Sequence, residues 1–185
     1  MKIGIVGYGM MGASLHLALL DSTTLSESDT EVRLFVRDTE QQSHLAKRGI
    51  RSSTDLGECD GLDLVIICVN LASVEPVMGN LANVAGSFKI TDISSVKKRI
   101  AATGKRLFGA RYTSSHPIAG SDRNGLGTAI DNLFTVSAIY YQCFVVESCI
   151  WAVKTSSHLP VVMAAIVMMT AAAFKFKINS QSKLQ

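Results

Sequence analysis

Gly7-Tyr8-Gly9-Met10-Met11-Gly12 constrains the fold of this chain more than any other stretch. The apolar run before it, residues 3–6, reads as a buried strand, and the apolar-periodic residues 13–20 read as a helix. A strand, a glycine turn and a helix in that order mark a site for a dinucleotide pyrophosphate. Gly7 makes the tight turn, Gly9 lets backbone approach the phosphates, and Gly12 lets helix and strand pack closely. The helix start contributes free N–H groups and the positive end of its dipole. Tyr8, Met10 and Met11 fill the turn and join the glycines as candidate cofactor contacts. A glycine turn with no ligand is the competing reading, and the flanking strand and helix argue against it.

The pattern then repeats. Residues 21–29 are rich in Ser, Thr and acid and read as a loop, and residues 31–36 as a second strand. Residues 39–48 read as a helix ended by Gly49, residues 50–53 as a short strand, and residues 55–61 as a loop with one helical turn. Residues 62–69 are almost continuously apolar, as a parallel strand buried on both faces is. Helix is expected over 73–85, strand over 88–92, helix over 95–103 with Gly104 as its stop, and strand over 111–115. This alternation predicts an α/β fold, a doubly wound parallel sheet of the Rossmann dinucleotide-binding type. Beyond it, residues 116–127 read as a loop, 128–133 as a short helix, 135–146 as a strand and 147–154 as a helix. Residues 155–158 cap a last helix, and residues 175–185 form a polar tail.

At 185 residues, 48% apolar and 18% charged, the chain buries a core. A net charge of +3 is too small to argue for nucleic acid, and Lys97-Lys98-Arg99 reads as a solvated helix face. Cys59, Cys68, Cys143 and Cys149 show no C-x-x-C spacing and read as reduced structural thiols of a cytoplasmic protein, with no metal set expected. The N-terminus does not read as a signal peptide. Residues 161–174 are strongly apolar but shorter than the about 20 residues a membrane span needs, and read as a buried helix.

The end of the second strand selects between nicotinamide cofactors. An acid there accepts from the ribose 2′-hydroxyl of NAD. If that position is Val36, the acid is missing and Arg37 lies where a 2′-phosphate would sit, a group that guanidinium matches bidentately. Asp38 is the competing acid, and Arg37 as a solvated loop residue is the bland alternative. NADP is the preferred cofactor, with NAD as the alternative.

Ligands in such sheets bind beyond the carboxyl ends of the strands. Three segments reach that edge: Asn70-Leu71 after the third strand, Asp92 to Lys97 with Ser94 and Ser95, and Ser115 to Ser121 with His116. A histidine there can take a proton near neutral pH while hydride leaves an alcohol, and a serine hydroxyl can orient the imidazole. His116 and Ser95 are therefore the catalytic candidates, and Val69, Asn70, Asp92 and Ser94 further cofactor contacts. Taken alone, His116 is equally a structural loop histidine; His16 and His44 read as helix-face residues.

These blocks resemble the prephenate and arogenate dehydrogenases of tyrosine biosynthesis. The resemblance rests on Gly7 to Gly12, on Asp92-Ile-Ser-Ser-Val-Lys97, on Ser115-His-Pro-Ile-Ala-Gly-Ser121 followed by Gly125, Ala129 and Leu133-Phe134, and on Ser157-His158-Leu159-Pro160. It implies oxidative decarboxylation of prephenate or arogenate, with His116 binding the 4-hydroxyl and helping to take its proton. It also implies that Ser95 hydrogen-bonds near His116 and the nicotinamide, and that the chain forms a homodimer.

The departures are Ser94 where the family commonly has glycine, Val161 in place of the second histidine of the helix-start motif, and a chain shortened after Phe134. The family's helical second domain, which supplies an arginine for the substrate carboxylate, is represented only by residues 155–185, after a nucleotide domain of residues 1–154. The alternatives are a dinucleotide-binding module without turnover and another small-substrate dehydrogenase, such as a β-hydroxyacid dehydrogenase or imine reductase. The Asp92 and His116 blocks argue against the latter.

Overall fold

A computed structural model describes residues 1–20, 30–118, 138–142 and 150–154. The expected loop at 21–29, the short helix at 128–133, the apolar helix at 161–174, the remnant domain at 155–185 and both Cys143 and Cys149 lie outside the described residues.

Five parallel strands run in the order β2-β1-β3-β4-β5: β1 (Lys2–Val6), β2 (Glu31–Phe35), β3 (Leu64–Ile67), β4 (Lys89–Asp92) and β5 (Tyr112–Ile118). Two antiparallel strands, β6 (Ala138–Gln142) and β7 (Ile150–Lys154), extend the sheet beyond β5. Successive strand residues point to opposite faces, and the cores follow that period. Ile3 and Ile5 of β1 and Leu64 and Ile66 of β3 face α1 (Met10–Leu20) and Leu45 of α2 (Thr39–Ala46). Val65 and Ile67 face the opposite way, onto Val74, Met78 and Leu81 of α3 (Leu71–Ala82) and Ile100 and Phe108 of α4 (Lys98–Phe108). Helices on both faces make the sheet doubly wound, as expected.

The strand order reverses between β1 and β3, so the loops leaving them diverge and open a crevice. Residues 50–53, expected as a short strand, contribute one parallel bridge from Ser53 to Phe35.

Three expectations fail for tertiary reasons. α4 does not stop at Gly104 but runs on to Phe108, and Gly109, at φ +57°, ends it. Gly104 is buried inside the helix because a Cβ there would collide with the Tyr112 ring. Residues 150–154 are strand instead of helix, since β6 offers them a ladder along its whole length. His116 is not in a loop: β5 continues through it because Tyr140 of β6 lies opposite in register.

Among the described residues no helix is long and apolar enough to cross a membrane. Cys59 and Cys68 are free and buried, and burial pushes the Cys59 thiol up to about 12, so it is inert at neutral pH.

Candidate functional site

The glycine turn is built by crowding on one side and open space on the other. Gly7 has φ +97°, and a Cβ there would lie 2.7 Å from the Cys68 carbonyl oxygen. A Cβ on Gly12 would run into the Gly7 carbonyl oxygen, so the close approach of α1 to β1 requires glycine. Gly9 differs: nothing lies within 4 Å of a Cβ built on it. That open side belongs to a cleft of about 1260 Å³, walled by the glycine turn, the end of β2 and the end of β3. Size, position at the switch point and the bare helix start fit a dinucleotide.

Tyr8, Met10, Met11, Arg37, Asp38, Val69 and Asn70 all line this cleft, as does the face of α2 with Gln41, His44 and Lys47. Gly12 lies behind the turn and shapes it without lining the cleft.

Local bonds fix the rim. Val36 is buried, and its N–H donates to Ser53. Asp38 caps α2 by accepting from the Gln41 N–H at 2.9 Å, and takes Arg37 Nε at 2.8 Å on its other oxygen. These donors hold its carboxyl below the usual range, the Gln41 bond foremost. The Arg37 side chain is 89% exposed on the rim. Asn70 caps α3, accepting from the Ser73 N–H at 3.1 Å.

Gln41, which the sequence did not single out, and His16, read from it as a helix-face residue, complete this end. The Gln41 side-chain amide donates to the Tyr8 carbonyl at 3.3 Å and accepts from the Arg37 N–H at 3.4 Å, tying the rim to the glycine turn. His16 is more than a helix-face residue, since the Tyr8 hydroxyl lies 2.9 Å from its Nδ1. Burial lowers the His16 pKa, which suits an unprotonated nitrogen accepting from the phenol.

The β4 and β5 end is made of buried side chains. Asp92 has no exposed surface and does not line the cleft; its neighbour Ile93 does. Asp92 Oδ2 accepts from Lys97 Nζ at 2.7 Å, from the Ser94 N–H at 3.0 Å and from the Ser94 hydroxyl. Oδ1 accepts from the Tyr112 hydroxyl and from Ser114 Oγ at 3.4 Å. Ser115 Oγ donates to the Asp92 carbonyl at 2.7 Å. Asp92 and Ser94, expected at the cofactor, are thus turned to each other and to Lys97.

His116 lies on β5 two residues beyond Ser114 and is half-buried. Burial lowers its pKa first, the Lys97 cation lowers it further, and Asp92 opposes. A neutral imidazole at neutral pH can accept a proton. Ser95 is exposed and makes no side-chain hydrogen bond among the described residues, so no bond joins it to His116. Ala119, Gly120 and Ser121 lie outside the described residues.

Residues 23–140 match the family described as prephenate dehydrogenase, nucleotide-binding domain. The chain belongs to that family. A prephenate dehydrogenase of Lactococcus lactis subsp. cremoris (strain MG1363) is 28% identical over 141 residues, covering 72% of this chain and 38% of that enzyme. Among solved structures, prephenate dehydrogenase from Aquifex aeolicus in complex with hydroxyphenyl propionate and NAD+ matches at a TM-score of 0.69 and 22% identity. That match covers 78% of this chain and 51% of the other. Synechocystis arogenate dehydrogenase matches at 0.67 and 22%, covering 91% and 55%. These likenesses carry the dehydrogenase fold, and the chain spans about half the length of the solved relatives or less. The family description makes this a nucleotide-binding domain, and the cleft at the glycine turn has the size and position for a dinucleotide.

Proposed function

We propose that this chain is the nucleotide-binding part of an NADP-linked enzyme that oxidatively decarboxylates prephenate or arogenate. The observation that carries the reading is His116, two residues beyond the last β4–β5 pair and beside the Lys97–Asp92 pair, in a chain of this family. The dinucleotide, held by the glycine turn and the rim of α2, supplies a hydride acceptor. The protein's own part is alignment and one proton acceptor, since aromatisation of the ring drives the reaction. His116 takes the proton of the ring hydroxyl on its unprotonated nitrogen, and Ser95, exposed on the segment after β4, is the second candidate at the reaction centre.

The preference for NADP is supported by Val36, buried where an acid would serve NAD, and by the engagement of Asp38 as the α2 cap. Arg37 and Lys47 on the cleft wall add positive charge for a 2′-phosphate. Homodimer formation is supported by the apolar run at residues 161–174, which needs cover from water. Sedimentation at micromolar concentration should give a dimer, and a well-behaved monomer would contradict it.

Turnover assays with prephenate and arogenate, each with NAD and NADP, test the reading. Turnover of either substrate, faster with NADP, is expected. Binding of NADP with turnover of neither would reduce the chain to a dinucleotide-binding module.

A further inference from the structure

Gly104 forms a notch in the buried face of α4, and the Tyr112 ring at the start of β5 fills it. Seated there, the phenol reaches across to the neighbouring strand and donates to Asp92 Oδ1. Burial and the Asp92 charge push the Tyr112 pKa far above its ordinary value, so this hydroxyl stays a donor. The other carboxylate oxygen faces the opposite way, towards the segment after β4, where it binds Lys97 Nζ, the Ser94 N–H and the Ser94 hydroxyl. Asp92 pairs with Ser114 in register, and strand alternation puts Tyr112, Ser114 and His116 on one face. One buried carboxylate therefore connects a packed aromatic ring to the only stretch between β4 and α4, next to His116.

We propose that Tyr112 and Asp92 are positioning residues for the reaction centre. The phenol fixes the carboxylate, and the fixed carboxylate holds the Lys97 ammonium beside His116. The inference rests on the reading of His116 as the proton acceptor. An ammonium tethered there disfavours the imidazolium and keeps the base unprotonated. Untethered, the same group would move to water on its flexible four-carbon stem. Among the described residues the charged groups acting on His116 are Lys97, from the segment after β4, and Asp92, from β4; β6 places Tyr140 opposite it in register. Gly104, read from sequence as a helix stop, has its explanation here: any side chain would expel the ring that carries the hydroxyl.

The test is an NMR titration of the His116 Cε1 proton, assigned with His116→Asn, in wild type, Lys97→Met, Lys97→Arg and Tyr112→Phe. Tyr112→Phe keeps the ring in the notch and removes only the hydroxyl. The His116 pKa should rise in Lys97→Met, return towards wild type in Lys97→Arg, and rise by a smaller amount in Tyr112→Phe, with dinucleotide binding retained. The Ser94 amide should also exchange faster in Tyr112→Phe, because its acceptor is no longer fixed. A Tyr112→Phe titration superimposable on wild type would make the phenol a packing group and overturn the proposal, as would an unmoved titration in Lys97→Met. Absence of turnover would overturn the proposed activity but leave these titrations as they are, so the two failures are distinguishable.

Discussion

At the β1 and β2 end of the sheet the chain makes its site from backbone, and at the β4 and β5 end from side chains. The glycine turn needs φ +97° at Gly7 and a bare Gly12, and its rim is closed by helix caps that act within four residues. The Asp92 cluster instead adds partners 20 to 23 positions away, on β5, to the nearby Ser94 and Lys97, and removes a carboxylate wholly from water. The first construction leaves an open cleft with N–H groups free for an anion. The second leaves one imidazole with a tuned charge environment. The proposed reaction needs both, because binding a dinucleotide asks for shape whereas taking a proton asks for an electrostatic setting.

Asp92→Ala should break this contrast most severely. It leaves Lys97 and the Tyr112 hydroxyl without their acceptor, and removing one partner of a buried pair costs about 3–5 kcal/mol. Urea unfolding measures it, and a loss below about 1 kcal/mol would show that the cluster is not the structural centre of this end.

His116→Asn comes next. Turnover should fall about 10²-fold, the scale of a lost general base, while NADP affinity stays within about twofold because the glycine turn is untouched. A parallel loss of cofactor affinity would mean that the two ends are not separable.

Arg37→Ala should weaken NADP binding about tenfold, the smaller end of what a charged hydrogen bond contributes, and leave NAD unchanged. Calorimetric titration of both cofactors decides it, and an unchanged preference would return Arg37 to a solvated loop residue.

Asn70→Ala removes the α3 cap, for a loss of about 1 kcal/mol in unfolding free energy. The smallest effect concerns His16. Its folded pKa is lowered, so protonation favours the unfolded chain, and its contribution is present above the unfolded value near 6.5 and lost as pH falls below it. The slope of stability against pH below about 6.5 should therefore be shallower in His16→Leu than in wild type. Equal slopes would show that the Tyr8 bond does not depend on an unprotonated His16.

The sequence by itself determined the glycine turn, the order of strand and helix through β5, and the segments that reach the carboxyl edge, because each is written in local periodicity or in the steric needs of single residues. Asp92 and His116 were visible as candidates for the same reason: one closes an expected strand and the other follows one. Only the tertiary structure decided what they touch. Asp92, expected at the cofactor, is enclosed by Tyr112, Ser114 and Lys97, and Gly104 is a socket and not a stop. Likewise β6 draws His116 into the sheet and turns residues 150–154 into strand. In each case the deciding partner belongs to another element, and a free hydrogen-bonding edge or a ring needing space outweighs the local preference that a sequence window can register.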